Sequence, residues 1–425
     1  MSKVYSSAVL ILGAIQLIQS VAFFIPMSYF PNYVVGLGAS VASIGLFTSS
    51  FMLASAVFSQ KMGSLSDVHG RKKIIILGLI GDVIFGVLTG LVPSWYWLML
   101  VRVINGAVSS ATMLAAEALL IESVPPNKRG EASGFINSMG MIGRNIGPLF
   151  GGIVQALSYS QGSGLLNSYR IPYFADSMMT VVILPLVAWK VKDAKAVGPA
   201  TTRTDDVLPP RVVKIHLSSS FKALLVCSFV SGIGVGFIMP IMALFYNDKF
   251  GIEPIEIGLI MSISGSMALI SSWVAGRLSD RIGRKPLIGL GNSVSQIFTS
   301  ILPLTDDVTQ ATGVQSIRNL GFDISMPAMR ALRADLSPAE SRGRFFGMFI
   351  TAFTAGDIIG PILCTYIYDI YRFKSFELGG LKLPGYGIPF FINSLLGLTS
   401  TIILFTFVKE PKRTDIQHGE ETQNS

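Results

Sequence analysis

GSLSDVHGRKK, from Gly63 to Lys73, returns as GRLSDRIGRKP from Gly276 to Pro286. Each copy is a short charged stretch between long apolar runs. Glycine permits reversed backbone angles that other residues avoid. Leu65 and Leu278 are placed to turn inward, and the basic cluster after Gly70 or Gly283 can stay in water at the phosphate level. The expectation is a tight loop joining two membrane helices. One copy alone reads equally well as an ordinary solvated turn; two copies at a fixed offset imply a repeat.

Composition supports the membrane reading. Of 425 residues, 50% are hydrophobic and 14% charged, with 43 glycines and a mean hydropathy of +0.58, the profile of a membrane-embedded chain. A spanning helix takes about 20 apolar residues. Apolar runs fall near 7–30, 38–60, 74–93, 95–121, 133–157, 170–190, 219–246, 254–275, 286–304, 308–334, 345–369 and 385–408, which makes twelve. The first is full length and lacks a small-residue cleavage site after it, so it reads as a retained span. The expected fold is an all-α membrane protein of twelve transmembrane helices in two pseudo-symmetric six-helix bundles. Its parts are an N-terminal bundle (1–190), a linker (191–218) carrying Gly198, Pro199, Pro209 and Pro210, a C-terminal bundle (219–408) and a tail (409–425).

The net charge of +8 does not point to nucleic acid, because its placement reports topology. Lys61, Arg71, Lys72, Lys73, Lys128, Arg129, Arg277, Arg281, Arg284, Lys285, Arg342, Arg344, Lys409, Lys412 and Arg413 fall, with the linker's basic residues, in loops sharing a side with the N-terminus. The opposite loops hold Arg170, Lys249, Arg372, Lys374 and Lys382. By the positive-inside rule both termini are cytoplasmic, and the basic side faces anionic lipid. Cys227 and Cys364 lie within spans and imply no disulfide framework. His69, His216 and His418 are scattered, so neither a metal nor a cofactor is expected. G-x-x-x-x-G-K-[ST] does not occur, which argues against an ATP-driven pump.

The offset of the two copies, 213 residues from Gly63 to Gly276, also sets Asp67 on Asp280, Glu122 on Asp335, Arg129-Gly130 on Arg342-Gly343, Gly134 on Gly347, Gly143 on Gly356 and Gly147-Pro148 on Gly360-Pro361. Two parallel six-span repeats are a transporter plan, with the substrate site near the midplane.

Charges inside spans carry the chemistry. Along the fourth span Arg102, Asn105, Ser109, Met113 and Glu117 form one stripe at helical spacing, which lipid would not tolerate on its own side. Arg102 either takes part in transport or snorkels to the outer interface. In the fifth span Gly143, Gly147 and Gly151 recur every fourth residue, a smooth face for close helix approach, and Pro148 frees a carbonyl near Arg144 that a neighbour must satisfy. Arg144 lies near the bilayer centre, where an unpaired charge costs about 2.5–3.5 kcal/mol. Its counterpart under the repeat is Asp357, so the two form either a structural pair or a coupling relay. Asp82 on the third span reads as a structural hydrogen-bonding group. Asp176 is embedded early in the sixth span. Arg318 and Asp323 on the tenth are cavity candidates, and Arg330, Arg333 and Asp335 belong to its cytoplasmic end. Gln16 and Gln19, with Phe23, Phe24, Met27, Phe237, Met239, Met242 and Phe245, either line an adaptable cavity or pack as core and lipid-facing residues.

Both charged copies match the loop signature of the major facilitator superfamily, G-x-L-x-D-x-x-G-R-K, except that Pro286 replaces the residue after Lys285. Arg102-Val-Ile-Asn105-Gly106 resembles that superfamily's fourth-helix R-x-x-Q-G element with Asn for Gln. The Gly134-to-Gly152 spacing, Gly147-Pro148 included, resembles its antiporter motif, typical of the drug/proton antiporter branch; plain helix packing is the competing account of the same glycines. The resemblance implies proton-coupled export of small amphipathic or drug-like molecules by a monomer in the plasma membrane, with no enzymatic activity. It assigns gating to Gly63, Asp67, Gly70, Arg71, Glu122, Gly276, Asp280, Arg284, Asp335, Gly143, Gly147 and Pro148, with Asp67 meeting the start of the eleventh span, Arg71 pairing with Glu122 and Arg284 with Asp335. Proton coupling or substrate contact falls to Arg102, Asn105, Glu117, Arg144, Arg318, Asp323, Asp357, Gln16 and Gln19. The first span lacks the carboxylate with which some exporters select cations. Two other readings stand beside export: a proton symporter of an anionic metabolite, with Arg144 and Arg318 as clamps, and a transporter-like receptor.

Overall fold

The computed structural model describes residues 7–125, 128–191, 218–337, 342–378 and 380–409. The interior of the expected linker and nearly all of the tail lie outside them. By internal contacts the chain divides into two compact units, Met1–Ile215 with Met242–Ile263 and His216–Ile241 with Ser264–Ser425.

In the first unit, α1 (Ser7–Phe24) leads through a 3-10 turn at Ile25–Ser28 into α2 (Phe30–Gly36). Then come α3 (Ile44–His69), α4 (Arg71–Leu91), α5 (Trp95–Ser123), α6 (Arg129–Ser160) and α7 (Leu165–Lys190). In the second half of the chain, α8 (Ser219–Ile238) breaks at a 3-10 turn, Met239–Ile241, before α9 (Met242–Phe250). It continues with α10 (Pro254–Ile282), α11 (Arg284–Ile301), α12 (Val308–Asp335), α13 (Arg342–Tyr371) and α14 (Ile388–Phe407). The first and seventh expected spans are therefore each interrupted, at Pro26 and Pro240. A proline ring inside a helix removes one hydrogen bond and crowds the preceding turn, so the chain re-forms as a tighter 3-10 segment.

Nine helical segments of the described residues are long and apolar enough to cross a membrane by composition alone. The glycine-rich α6 and the charge-bearing α12 are not among them. Their low apolar content fits helices that spend their surface on protein neighbours rather than lipid.

The charged stretch that was expected as a loop is mostly helix. α3 runs through Gly63 to His69 and α4 starts at Arg71, leaving Gly70 alone, at φ 93°, to reverse the chain. Gly283 does the same at φ 93° between α10 and α11. Gly63 has an ordinary backbone and nothing close to it, so the left-handed freedom of glycine is needed only at the second glycine of each copy. Of Gly276 and Asp280 in the second copy, only the helical backbone is described. Between α13 and α14 the chain forms a short antiparallel hairpin, β1 (Ser375–Leu378) and β2 (Leu381–Pro384), with Gly380 at φ 84°.

Packing follows the glycines. A side chain at Gly143 would strike the Leu17 carbonyl and Ser20 of α1, and one at Gly147 would come within 2.8 Å of the Val21 carbonyl oxygen. Gly151 lies against Ile25 in the 3-10 turn. The second unit repeats the arrangement: Gly356 and Gly360 of α13 lie on the α8 backbone, while Gly232 and Gly236 of α8 lie on α13. Two more glycines account for the placement of Met242–Ile263 in the first unit, since Gly152 meets the Pro254 backbone and Gly258 meets the backbone of Pro148 and Leu149.

Gly134 belongs to the same spacing signature, yet nothing lies within 4 Å of its missing side chain. Gly147→Leu is expected to destabilise the protein by about 1–3 kcal/mol through overpacking against backbone, and Gly134→Leu to leave it unchanged. Thermal unfolding of the two purified variants in detergent checks this. Equal loss in both would remove close approach as the reason for the glycine spacing.

Candidate functional site

At the end of the first unit where α3 meets α4, Arg71 gathers the charged groups. Its guanidinium contacts Asp67 at 2.5 Å and reaches Glu122 Oε1 from Nη2 at 2.9 Å and from Nε at 3.1 Å. Nη1 also donates to Ser66 Oγ at 3.2 Å. The residue directly after the left-handed Gly70 is thus held by both flanking helices, with α5 closing the third side. Arg129 donates from Nε to the Ile121 carbonyl at 3.0 Å, covering one of the open carbonyls at the end of α5. The corresponding place in the second unit has Arg284 paired with Asp335 and donating to the Ala331 carbonyl at 3.0 Å.

Mid-span, the first unit holds a polar network among α1, α4 and α5. Gln19 Nε2 donates to Asp82 Oδ2 at 2.8 Å. Ser109 Oγ lies 2.8 Å from Asp82 Oδ1 and 2.7 Å from Asn105 Oδ1. Gln16, one turn before Gln19, donates to Ser20 Oγ at 3.2 Å. The stripe on α5 divides: Asn105 and Ser109 are half-buried in this network, whereas Met113 and Glu117 are exposed.

One turn from Asn105, Arg102 lies over the Phe30 ring, 4.5 Å from its centroid, with its buried Nε lacking a hydrogen-bond partner. Phe30 brings α2 over it. Nearby, fully buried Tyr29 stacks on Tyr169 at 5.8 Å and meets Tyr173 edge-on at 5.9 Å. Tyr33 donates to the Thr89 carbonyl at 2.6 Å. The hydroxyls of Tyr29 and Tyr173 and Asp176 Oδ1 are also buried without partners. A cluster of unpaired polar atoms of this kind is a place for water or ligand atoms.

Arg144 is exposed, its guanidinium 5.6 Å from the Phe24 ring centroid. The backbone beside Pro148 is repaired from neighbouring helices: Ser262 donates to the Asn145 carbonyl and Ser28 to the Pro148 carbonyl at 3.1 Å. In the second unit Asp357 is half-buried, and its Oδ1 has no hydrogen-bond partner. Gly236 faces it; a side chain there would crowd that oxygen at 2.8 Å. Arg318 donates to Thr299 Oγ1 at 3.0 Å, tying α12 to α11. Asp323 is half-buried on the same helix. Arg333 lies 5.4 Å from the Phe349 centroid.

Asp82, expected as a structural hydrogen-bonding group, is hydrogen-bonded to Gln19 and Ser109, and Ser109 in turn contacts Asn105. The available signal was depth: Asp82 lies eleven residues past Arg71, and Ser109 thirteen residues before Glu122 on an antiparallel neighbour. The tyrosine cluster left no pattern, because its members are spread over α2, the turn before it and α7. No group of His, Cys, Asp and Glu among the described residues could hold a metal ion.

A family profile described as Major Facilitator Superfamily matches residues 12–222 and 224–424. The multi-drug resistance efflux pump PmrA of Streptococcus pneumoniae is 27% identical over 350 residues, covering 81% of this chain and 84% of that protein. Multidrug resistance protein MdtG of Serratia proteamaculans is 27% identical over 364 residues, covering 83% and 85%. Among solved structures, a D-xylose-proton symporter superposes with a TM-score of 0.73 at 17% identity, covering 95% of this chain and 98% of that one. At that identity the likeness is one of fold.

The Arg71–Glu122 contact joins two partly exposed groups. A double-mutant cycle with Arg71→Ala and Glu122→Gln, read by thermal unfolding, is expected to return a coupling of about 0.5–1 kcal/mol. A coupling of zero would reduce the contact to a solvated encounter.

Proposed function

The chain belongs to the Major Facilitator Superfamily and is a multi-pass membrane transporter, not an enzyme, and from that premise we propose that it exports small amphipathic or drug-like molecules in exchange for protons. The observation that carries this reading is the glycine face of α6, with its Gly147-Pro148 step, seated on α1 beside the break at Pro26. That face lets two helix backbones touch without interlocking side chains, which suits a contact that has to change during transport. The names of relatives matched over four-fifths of the chain point to the same activity.

In this proposal the protein works as a monomer in the plasma membrane with both termini in the cytoplasm, and the two repeats exchange access to a midplane site. Asp67, Arg71 and Glu122, with Asp280, Arg284 and Asp335 in the second repeat, latch the cytoplasmic side. Asp357 is the coupling carboxylate of the second repeat. Its unpartnered oxygen opposite Gly236 supports that role, because a buried carboxylate with a free lone pair can take a proton or a donor from substrate. Arg102, Arg144, Arg318, Asp323, Glu117 and Gln16 would contribute substrate contacts or charge balance.

In everted membrane vesicles energised to be acidic inside, the protein is expected to accumulate ethidium and to lose that uptake when the pH gradient is collapsed. Asp357→Asn should lower gradient-driven flux on the order of tenfold or more while equilibrium ethidium binding persists. Undiminished proton-coupled flux in the variant would remove Asp357 from the coupling step. Solute movement only in the direction of the proton gradient would favour a symporter.

A further inference from the structure

The single proton of the Ser109 hydroxyl is asked to serve two oxygens. Ser109 Oγ is 2.8 Å from Asp82 Oδ1 and 2.7 Å from Asn105 Oδ1, and a hydroxyl donates one hydrogen bond. If Asp82 is ionised and the Asn105 oxygen stays where it is, one of these short contacts is lone pair against lone pair. Two arrangements resolve the conflict. With Asp82 protonated, the carboxyl donates to Ser109 and Ser109 donates to the Asn105 oxygen. With Asp82 ionised, the Asn105 amide turns about its last bond, its NH2 donates to Ser109, and Ser109 donates to the carboxylate. Oxygen and nitrogen of an amide are interchangeable in shape, so the turn needs no other movement. Gln19 donates to Asp82 Oδ2 at 2.8 Å in either arrangement.

We propose that Asp82 is a second proton-binding site of the transport cycle and that the Asn105 amide turns over each time the proton enters or leaves. This rests on the reading of the chain as a proton-coupled transporter. On loading, an Oδ1–H bond forms with a proton taken from water. On release, that bond breaks and the proton passes to water on the other side, leaving the carboxylate held by Gln19 and Ser109.

The surroundings make this a proton site rather than an ion pair. Asp82 lies eleven residues past Arg71, about 17 Å along the helix at 1.5 Å per residue, which is near the middle of a bilayer about 30 Å thick. Among the described residues no lysine, arginine or histidine pairs with it. α1 faces it with Gln19, and α5 with Ser109 and Asn105. α7 brings Asp176, which lies toward Gly86, one turn further along α4. Arg102 sits one turn from Asn105 on α5 and is engaged over Phe30. The charged side chains of α3, namely Lys61, Asp67 and His69, are at its far end. The unpartnered oxygens of Tyr29, Tyr173 and Asp176 continue the polar track from this point toward the Arg102 end of α5.

The test is infrared difference spectroscopy of the purified full-length protein during a pH titration, with no transported solute present. A protonated carboxyl C=O band is expected to titrate together with a side-chain amide band. Asp82→Asn should lose both. Asn105→Val should keep the carboxyl band and lose the amide band, which separates Asn105 from Gln19. Asp357→Asn should keep both. If Asp82→Asn fails to fold, Asp82→Glu should move the carboxyl band instead. A carboxyl band unchanged in the Asp82 variants, or an amide band that ignores Asn105→Val, overturns the proposal. Because no export is measured, a failure here is distinct from failure of the export reading, which the vesicle assay decides.

Discussion

Hydrocarbon offers a polar group no hydrogen bond, so each charged or amide side chain placed in a span must be answered from within the protein. The arrangement of these helices follows from that demand. Asp82 is answered from two other helices by Gln19 and Ser109. The backbone disturbed by Pro148 is answered by Ser28 and Ser262. Arg102 is covered by the aromatic face of Phe30. Such answers need close helices, and close helices need glycine where they cross, which is why Gly143, Gly147 and Gly151 accompany the polar residues.

The two repeats meet this demand with different side chains. In the first unit Asp82 on α4 is satisfied by an uncharged network. In the second, Asp357 on α13 keeps one oxygen open beside Gly236. Gly143 and Gly147 of α6 correspond to Gly356 and Gly360 of α13 across the repeat, and Arg71 and Glu122 to Arg284 and Asp335, whereas Asp82 falls on Ser295 and Asp357 on Arg144. The close-packing positions and the charged helix ends are shared by the two halves, and the mid-span carboxylates are not.

Much of the fold could be read directly. Apolar run lengths located most helices to within a few residues, though α3 and α10 run on past the expected ends of their spans to His69 and Ile282, and the 213-residue offset identified the repeat, because both rest on simple periodicities. The pairing of Arg71 with Glu122 was legible only through resemblance; nothing in spacing alone sets position 71 beside position 122. The breaks at Pro26 and Pro240 were present as residues but not as breaks, since a proline in a membrane helix can also leave only a bend. The helical character of Gly63–His69 was misjudged because two glycines and a run of polar residues look like a loop, whereas Gly70 alone had to leave the helical region. The partners of Asp82 were not legible, because Gln19 and Ser109 converge on it from α1 and α5, and convergence between distant segments has no linear signature.

The one-residue turn at Gly70 has a consequence for how this sequence can vary. With α3 ending at His69 and α4 beginning at Arg71, no slack exists between the anchor at Arg71 and the carboxylate at Asp82. An inserted residue in that interval would rotate everything beyond it by about 100° and advance it by about 1.5 Å, carrying the Asp82 carboxylate off the face that meets Ser109. The stretch behaves as a ruler: its length is a fixed quantity, set by the anchor at one end and the carboxylate at the other.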